Sequence, residues 1–227
     1  MTTLTRNIDT SFALLAQVLL HPTFPEEEFS RTKKEVLGGI RSRGEDPGWV
    51  AGKTFREHLF SDHPYGHLVT GGPATLKTLS LANVVAYHSS HYFPKNAIVS
   101  VVGNTTTNQA LALLAEHMGD WKRAPALSVI WPDHIPTSGQ EILVDKAVSQ
   151  ANIIMGHIGI SRGHADYYPV LLMNYILGAG GFGSRLMDHI REKKGYVYSI
   201  HSHYSARKHP GPFSVSLQTK NETARQA

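Results

Sequence analysis

At 227 residues the chain is long enough for one large domain or two modest ones. Its 41% hydrophobic and 18% charged residues are the balance of a soluble globular protein that can bury a core unaided. Cysteine is absent, which excludes disulfide frameworks, cysteine-zinc sites and thiol nucleophiles, and the basic residues behind the net charge of +4 are too scattered for a nucleic-acid-binding face.

The first residues lack the charged, apolar, small-residue order of a signal peptide, and apolar runs such as Phe12 to Leu20 are too short to span a bilayer. Thr10 to Leu20 is predicted as a buried helix from the spacing of Phe12, Leu14, Leu15, Val18 and Leu19. His21-Pro22 ends it. Pro25 followed by Glu26, Glu27 and Glu28 starts a second helix, to about Arg43, because proline suits a first turn and the acids complement the helix dipole. Gly38 and Gly39 fall inside it, each costing about 1 kcal/mol relative to alanine. Close helix packing would be one reason for them.

Asp46-Pro47-Gly48 reads as a turn, Trp49 to Phe60 as a third helix, and His63-Pro64-Tyr65-Gly66 as a loop. Ser80 is placed to N-cap a helix to about Tyr92. Ala97 to Val102 is predicted as a strand buried on both faces, and Thr107 to Met118 as a helix. The proline-rich stretch 125–138 is the expected linker between domains at 1–124 and 139–227. Beyond it, strands are expected at Glu141 to Asp145, Gln150 to Gly156, Tyr196 to Tyr204 and Pro212 to Gln218. Helices are expected at Asp166 to Leu177 and Ser184 to Lys194, the second capped by Gly195. Helices and strands without βαβ regularity indicate an α+β fold. Gly178 to Gly183 is a glycine-rich turn that lacks the Gly-Lys-Ser/Thr ending of a phosphate loop.

Several segments together resemble the pitrilysin/insulinase zinc metallopeptidases, which include the mitochondrial processing peptidase. They are FSRTKKEVLGGIRSRGEDP at 29–47, HPYG at 63–66 with TGG at 70–72, HYFPKN at 91–96, and LGAGGFGSRL at 177–186 running on to IREKKG at 190–195 and Tyr198-Ser199. The resemblance implies two related domains of antiparallel-rich sheet packed by helices, both truncated here, so that the chain starts within the first and stops within the second. A signal peptide lost by truncation would then be consistent with a bacterial periplasm or cell envelope.

The family's zinc site uses His-x-x-Glu-His, two histidines on one helix face with a glutamate that acts on the attacking water, plus a distal glutamate. The chain has no His-x-x-Glu-His. Thr54 to His58 comes nearest, with threonine in place of the first ligand. The distal glutamate is expected eight residues before the turn proline, and counting back from Pro47 lands on Gly39. Glu35 starts about 6 Å away along the helix axis, a conceivable but shifted ligand. No metal and no cofactor are therefore expected in this chain. His201 and His203 share a strand face but find no third ligand in the sequence pattern.

Arg191 and Tyr198 have the arginine-x6-tyrosine spacing of the family's second-domain pair. The resemblance implies that they reach toward the zinc of another domain or subunit to bind substrate and support the transition state. The chain is thus expected to be a zinc-less, non-catalytic subunit, paired with a zinc-bearing homologous subunit that closes around an extended or unfolded peptide. Two alternatives stand beside it: a piece of an active zinc endopeptidase whose His-x-x-Glu-His half is missing, and a structural scaffold subunit without proteolytic role.

Overall fold

A computed structural model describes residues 1–61, 63–121, 132 and 139–227. They form two compact units that do not follow chain order: Met1–Val36 with Pro73–Ile130, and Leu37–Gly72 with Trp131–Ala227. The expected linker at 125–138 lies outside the described residues, apart from residue 132.

The first unit is helical. It contains α1 (Ile8–Leu20), the beginning of α2 (Glu26–Arg43), α4 (Pro73–Thr78), α5 (Leu81–His91) and α6 (Thr107–Met118). Each boundary has a local cause. Ser80 with Asn83 caps α5, and Thr106 with Gln109 caps α6, each as a reciprocal pair of side-chain to backbone hydrogen bonds. α1 and α6 pack together, and their buried faces supply Phe12, Ala16, Ala110 and Met118. Lys33 Nζ donates to the carbonyls of Lys77 and Leu79 at 3.0 and 2.7 Å, where the negative end of α4 favours a cation.

The expected buried strand at Ala97 to Val102 does not form. The segment is assigned no strand, and Ile98 and Val102 are 96% and 98% exposed. An apolar β-branched run states a preference for a sheet, but only a neighbouring chain can complete a ladder. The same correction holds for Glu141 to Asp145, where Leu143 is 90% exposed.

The second unit is built on a three-stranded antiparallel sheet of β1 (Gln150–Ile158), β2 (Val197–Tyr204) and β3 (Pro212–Lys220), in the order β1-β3-β2. α3 (Pro47–Leu59) covers one face at β1. Asp46 caps it by accepting from Gly48 N at 2.8 Å, and Pro47 occupies its first turn. Gly156 leaves room for the Phe55 ring, which would lie 3.0 Å from a Cβ there. The core of the unit is Met187, Val197, Ile200 and Leu217, flanked by Ile153, Leu186, Ile190 and Val215. Tyr204 is also buried, its hydroxyl donating to the Ile160 carbonyl at 2.6 Å. In the HPYG loop His63 is buried and its Nδ1 accepts from Tyr65 N at 3.0 Å, a structural role for that motif.

Two expected helices take a different form. α7 (Tyr167–Asn174) continues as a π-helical segment, Tyr175–Ala179, and the helix expected from Ser184 is π-helical over Met187–Lys193. Their hydrogen bonds reach five residues, as in Gly180 N to Tyr175 O at 2.9 Å. Sequence periodicity cannot separate the two helix types, because both satisfy the backbone and differ by one residue in a turn.

Candidate functional site

Arg191 and Tyr198 both lie in the second unit, one on each side of the Gly195 turn. Gly195 takes φ +64° and ends the helix as expected, its N–H donating to the Arg191 carbonyl at 3.0 Å. The Arg191 guanidinium carbon is 5.9 Å from the centre of the Tyr198 ring, so the fold brings the two residues together.

Each residue is aimed by a local irregularity. Arg191 belongs to the π-helical segment Met187–Lys193. A π turn adds a residue and rotates the side chains that follow it, and such turns are frequent at functional sites. The turn is braced across five residues by Asp188 and Lys193, whose carboxylate and ammonium are 2.6 Å apart. The hydrogen bond from Lys193 is the main reason that the Asp188 carboxyl sits below the usual carboxylate range; it outweighs the opposing burial penalty, and the charges of Lys193 and His189 add to it.

Tyr198 stands at a break in the sheet register. Val197 pairs with Thr219 and Ser199 with Gln218, which leaves Tyr198 as the extra residue of a β-bulge. The bulge has a clear effect on side-chain direction. Val197 and Ile200 both reach the core although they are three residues apart, and Tyr198 is turned outward, 75% exposed. A regular strand could not bury both.

A third side chain joins the pair. Phe182, at the tip of the Gly181–Gly183 turn, places its ring centre 5.0 Å from the Arg191 guanidinium and is itself 72% exposed. In the sequence Phe182 lies within LGAGGFGSRL with no assigned role, and the signal for one is an aromatic residue held between glycines. Arg191 also has Glu192 Oε1 3.4 Å from its Nη1. The cluster thus offers the N–H donors of a half-buried guanidinium and an exposed phenolic hydroxyl side by side, with two aromatic rings beside the charge. It can hydrogen-bond a carbonyl oxygen and stabilise developing negative charge on it.

The residues at the expected zinc-ligand positions do not fit zinc. Gly39 has no side chain, and among the described residues a Cβ built on Gly38 or Gly39 would meet nothing within 4 Å, so no described residue packs closely against either glycine. Glu35 is ion-paired with Arg31 at 2.6 Å. Around the Thr54–His58 string, His58 Nδ1 is 2.9 Å from Thr54 O and Glu57 pairs with Lys53 at 2.5 Å, so these groups are engaged within their own helix. His201 and His203 share the exposed side of β2, with His201 Nε2 2.8 Å from Ser216 Oγ. Elsewhere among the described residues, Asp9, Glu116 and His117 bring possible ligand atoms within 4.8 Å of one another. In that group His117 Nε2 and Asp9 Oδ1 are 2.8 Å apart, linking α6 to α1.

Comparison with known proteins agrees with this architecture. A family profile described as peptidase M16 inactive domain matches residues 78–227. A solved structure of a peptidase M16 inactive domain from Pseudomonas fluorescens superposes with a TM-score of 0.87 at 32% identity, covering 96% of this chain and 53% of that one. A Helicobacter pylori protease structure gives a TM-score of 0.84 at 22% identity, over 96% and 53% of the two chains, and shows the same fold. An uncharacterised zinc protease of Rickettsia felis is 25% identical over 220 residues, 96% of this chain and 52% of that relative. The chain thus spans about half the length of the curated relatives it matches.

Proposed function

We propose, from the premise that this chain belongs to the peptidase M16 family and matches its inactive domain, that it works as a zinc-less subunit that lends Arg191 and Tyr198 to a zinc-bearing homologous subunit hydrolysing extended peptides. The observation that carries this reading is the convergence of the two side chains, 5.9 Å apart, through a π turn and a β-bulge. Gly39 supports its zinc-less half: that position has space for a side chain and has none.

In this reading Arg191 presents charged, forked donors to a peptide carbonyl. The Tyr198 hydroxyl donates to the oxygen on which charge develops during attack. One such preorganised donor is worth about 2.7–4 kcal/mol of barrier lowering. The peptide would lie extended against an exposed sheet edge, where main-chain hydrogen bonds give affinity without demanding a particular sequence.

A second reading draws on the relatives. They are called zinc proteases, and this chain covers about half of each. A His-x-x-Glu-His segment elsewhere in the same polypeptide would make the protein an active endopeptidase with Arg191 and Tyr198 in the same roles.

The deciding experiment measures bound zinc in the full-length protein and cleavage of a quenched-peptide library, alone and with the zinc-bearing subunit. Absence of zinc and of cleavage alone, with turnover on mixing, is the expected result. Stoichiometric zinc with cleavage by the protein alone would select the second reading. Absence of cleavage in both settings would remove the proteolytic role and leave a scaffold. On mixing, Arg191→Ala or Tyr198→Phe is expected to slow turnover by about 100-fold or more, and unchanged turnover in both would end their assignment.

A further inference from the structure

The glycine-rich turn that precedes Arg191 carries an exposed aromatic ring whose position is built rather than incidental. Three observations lead to this. Gly181 takes φ +67°, a conformation that L side chains rarely adopt, so the backbone is committed to a turn that lifts Phe182 out of the chain path. Gly178, in the π-helical segment that leads into the turn, lies against β2: a Cβ there would come within 2.4 Å of Ser202 N, so the base of the turn is seated on β2. Gly180 closes that segment, its N–H donating to the Tyr175 carbonyl at 2.9 Å. The ring at its tip is 72% exposed and adds nothing to the core, yet it stands 5.0 Å from the Arg191 guanidinium, nearer than the Tyr198 ring at 5.9 Å.

A guanidinium within about 6 Å of an aromatic centre is attracted by the ring quadrupole. Arginine otherwise has several rotatable bonds and would lose much of that freedom on meeting a substrate. Two rings sharing one guanidinium restrict it beforehand while leaving its N–H edge available for hydrogen bonds. Neither ring neutralises the charge. Glu192 Oε1 lies 3.4 Å from Arg191 Nη1 and engages that nitrogen, which leaves the rest of the fork for a substrate carbonyl.

We infer that Phe182 is a positioning residue: its ring holds the Arg191 guanidinium beside Tyr198, so that the donors presented to a peptide carbonyl are ordered before the peptide arrives. The inference rests on the role proposed above for Arg191. It assigns the glycine-rich turn a task in this chain, the presentation of one ring to one cation.

Two readouts separate its failure from failure of the parent reading. The first needs no activity. In the protein alone, the side-chain protons of Arg191, assigned with Arg191→Lys, should be shifted upfield by ring currents. Phe182→Leu should return them most of the way to ordinary values, and Phe182→Trp should keep or increase the shift. Arg191 protons that are unshifted, or that ignore Phe182→Leu, overturn the contact.

The second readout is kinetic, in the complex with the zinc-bearing subunit. Phe182→Leu is expected to lower kcat roughly two- to fivefold with little change in KM, as expected from the strength of a partly exposed cation–π contact. Phe182→Trp should restore kcat. In an Arg191→Ala background, Phe182→Leu should have no further effect. Wild-type kcat for Phe182→Leu beside a slow Arg191→Ala, or additivity of the two, would overturn the positioning role and leave that of Arg191 intact. Wild-type turnover by Arg191→Ala would overturn the parent reading and with it this role.

Discussion

Three glycines around Phe182, Gly178 in the preceding π-helical segment and Gly181 and Gly183 on either side of the ring, should respond to alanine in three different ways. At Gly178 a new Cβ would lie 2.4 Å from Ser202 N, 2.7 Å from Ser202 Oγ and 2.8 Å from Leu186 Cδ1. The leucine methyl can swing aside, but the serine cannot. Ser202 is buried, its Oγ donates to the Asn174 carbonyl at 3.1 Å, and it pairs with Val215 in the sheet. Relief therefore requires the helical segment and β2 to separate, an overpacking cost of about 1–3 kcal/mol. At Gly181 there is open space, but φ is +67°. The penalty there is only the left-handed backbone, about 1–2 kcal/mol. At Gly183 nothing lies within 4 Å and φ is ordinary, so alanine should be neutral to within about 0.5 kcal/mol. Urea unfolding followed by circular dichroism reads the differences as midpoint shifts at constant slope. Gly178→Ala should also perturb the Arg191 and Tyr198 signals, whereas Gly183→Ala should not. A Gly178→Ala protein with the midpoint of Gly183→Ala would refute the claim that this turn is seated directly on β2.

Further outcomes follow from single side chains. Gly39→Ala should raise stability by about 1 kcal/mol, because the site is open and alanine is the better helix former; a lower melting temperature would mean that the glycine is needed for packing. Tyr204→Phe should cost about 1 kcal/mol by removing the hydroxyl that donates to Ile160 O. Burial raises the Tyr204 pKa above its ordinary value, so the fold favours the neutral phenol. Its contribution is therefore complete below pH of about 10, the unfolded value, and is lost as pH rises through the higher folded value. Stability of the wild type should fall more steeply than that of Tyr204→Phe above this range, and parallel curves would exclude Tyr204 as the cause.

Much of this protein was legible in the order of its residues. The helices α1, α2, α3, α5 and α6 follow from apolar spacing and from caps such as Asp46, Ser80 and Thr106, because a helix satisfies its backbone within itself and needs only local information. Gly195 was readable as a helix end for the same reason. That glycine, with no carboxylate, stands eight residues before Pro47 required only counting. The failures share an opposite cause. Ala97 to Val102 and Glu141 to Asp145 have strand composition, but a strand exists only where another backbone pairs with it, and the described residues supply none. The joining of 37–72 with the C-terminal half is likewise a matter of long-range contact, which no local pattern encodes. The candidate site divides along this line. The spacing of Arg191 and Tyr198 was visible in sequence, while their meeting point was not. That point depends on a π turn, which looks like any helix in sequence, and on a bulge, which is defined by the register of β2 against β3. Phe182 joins them only because the glycine turn folds back over β2.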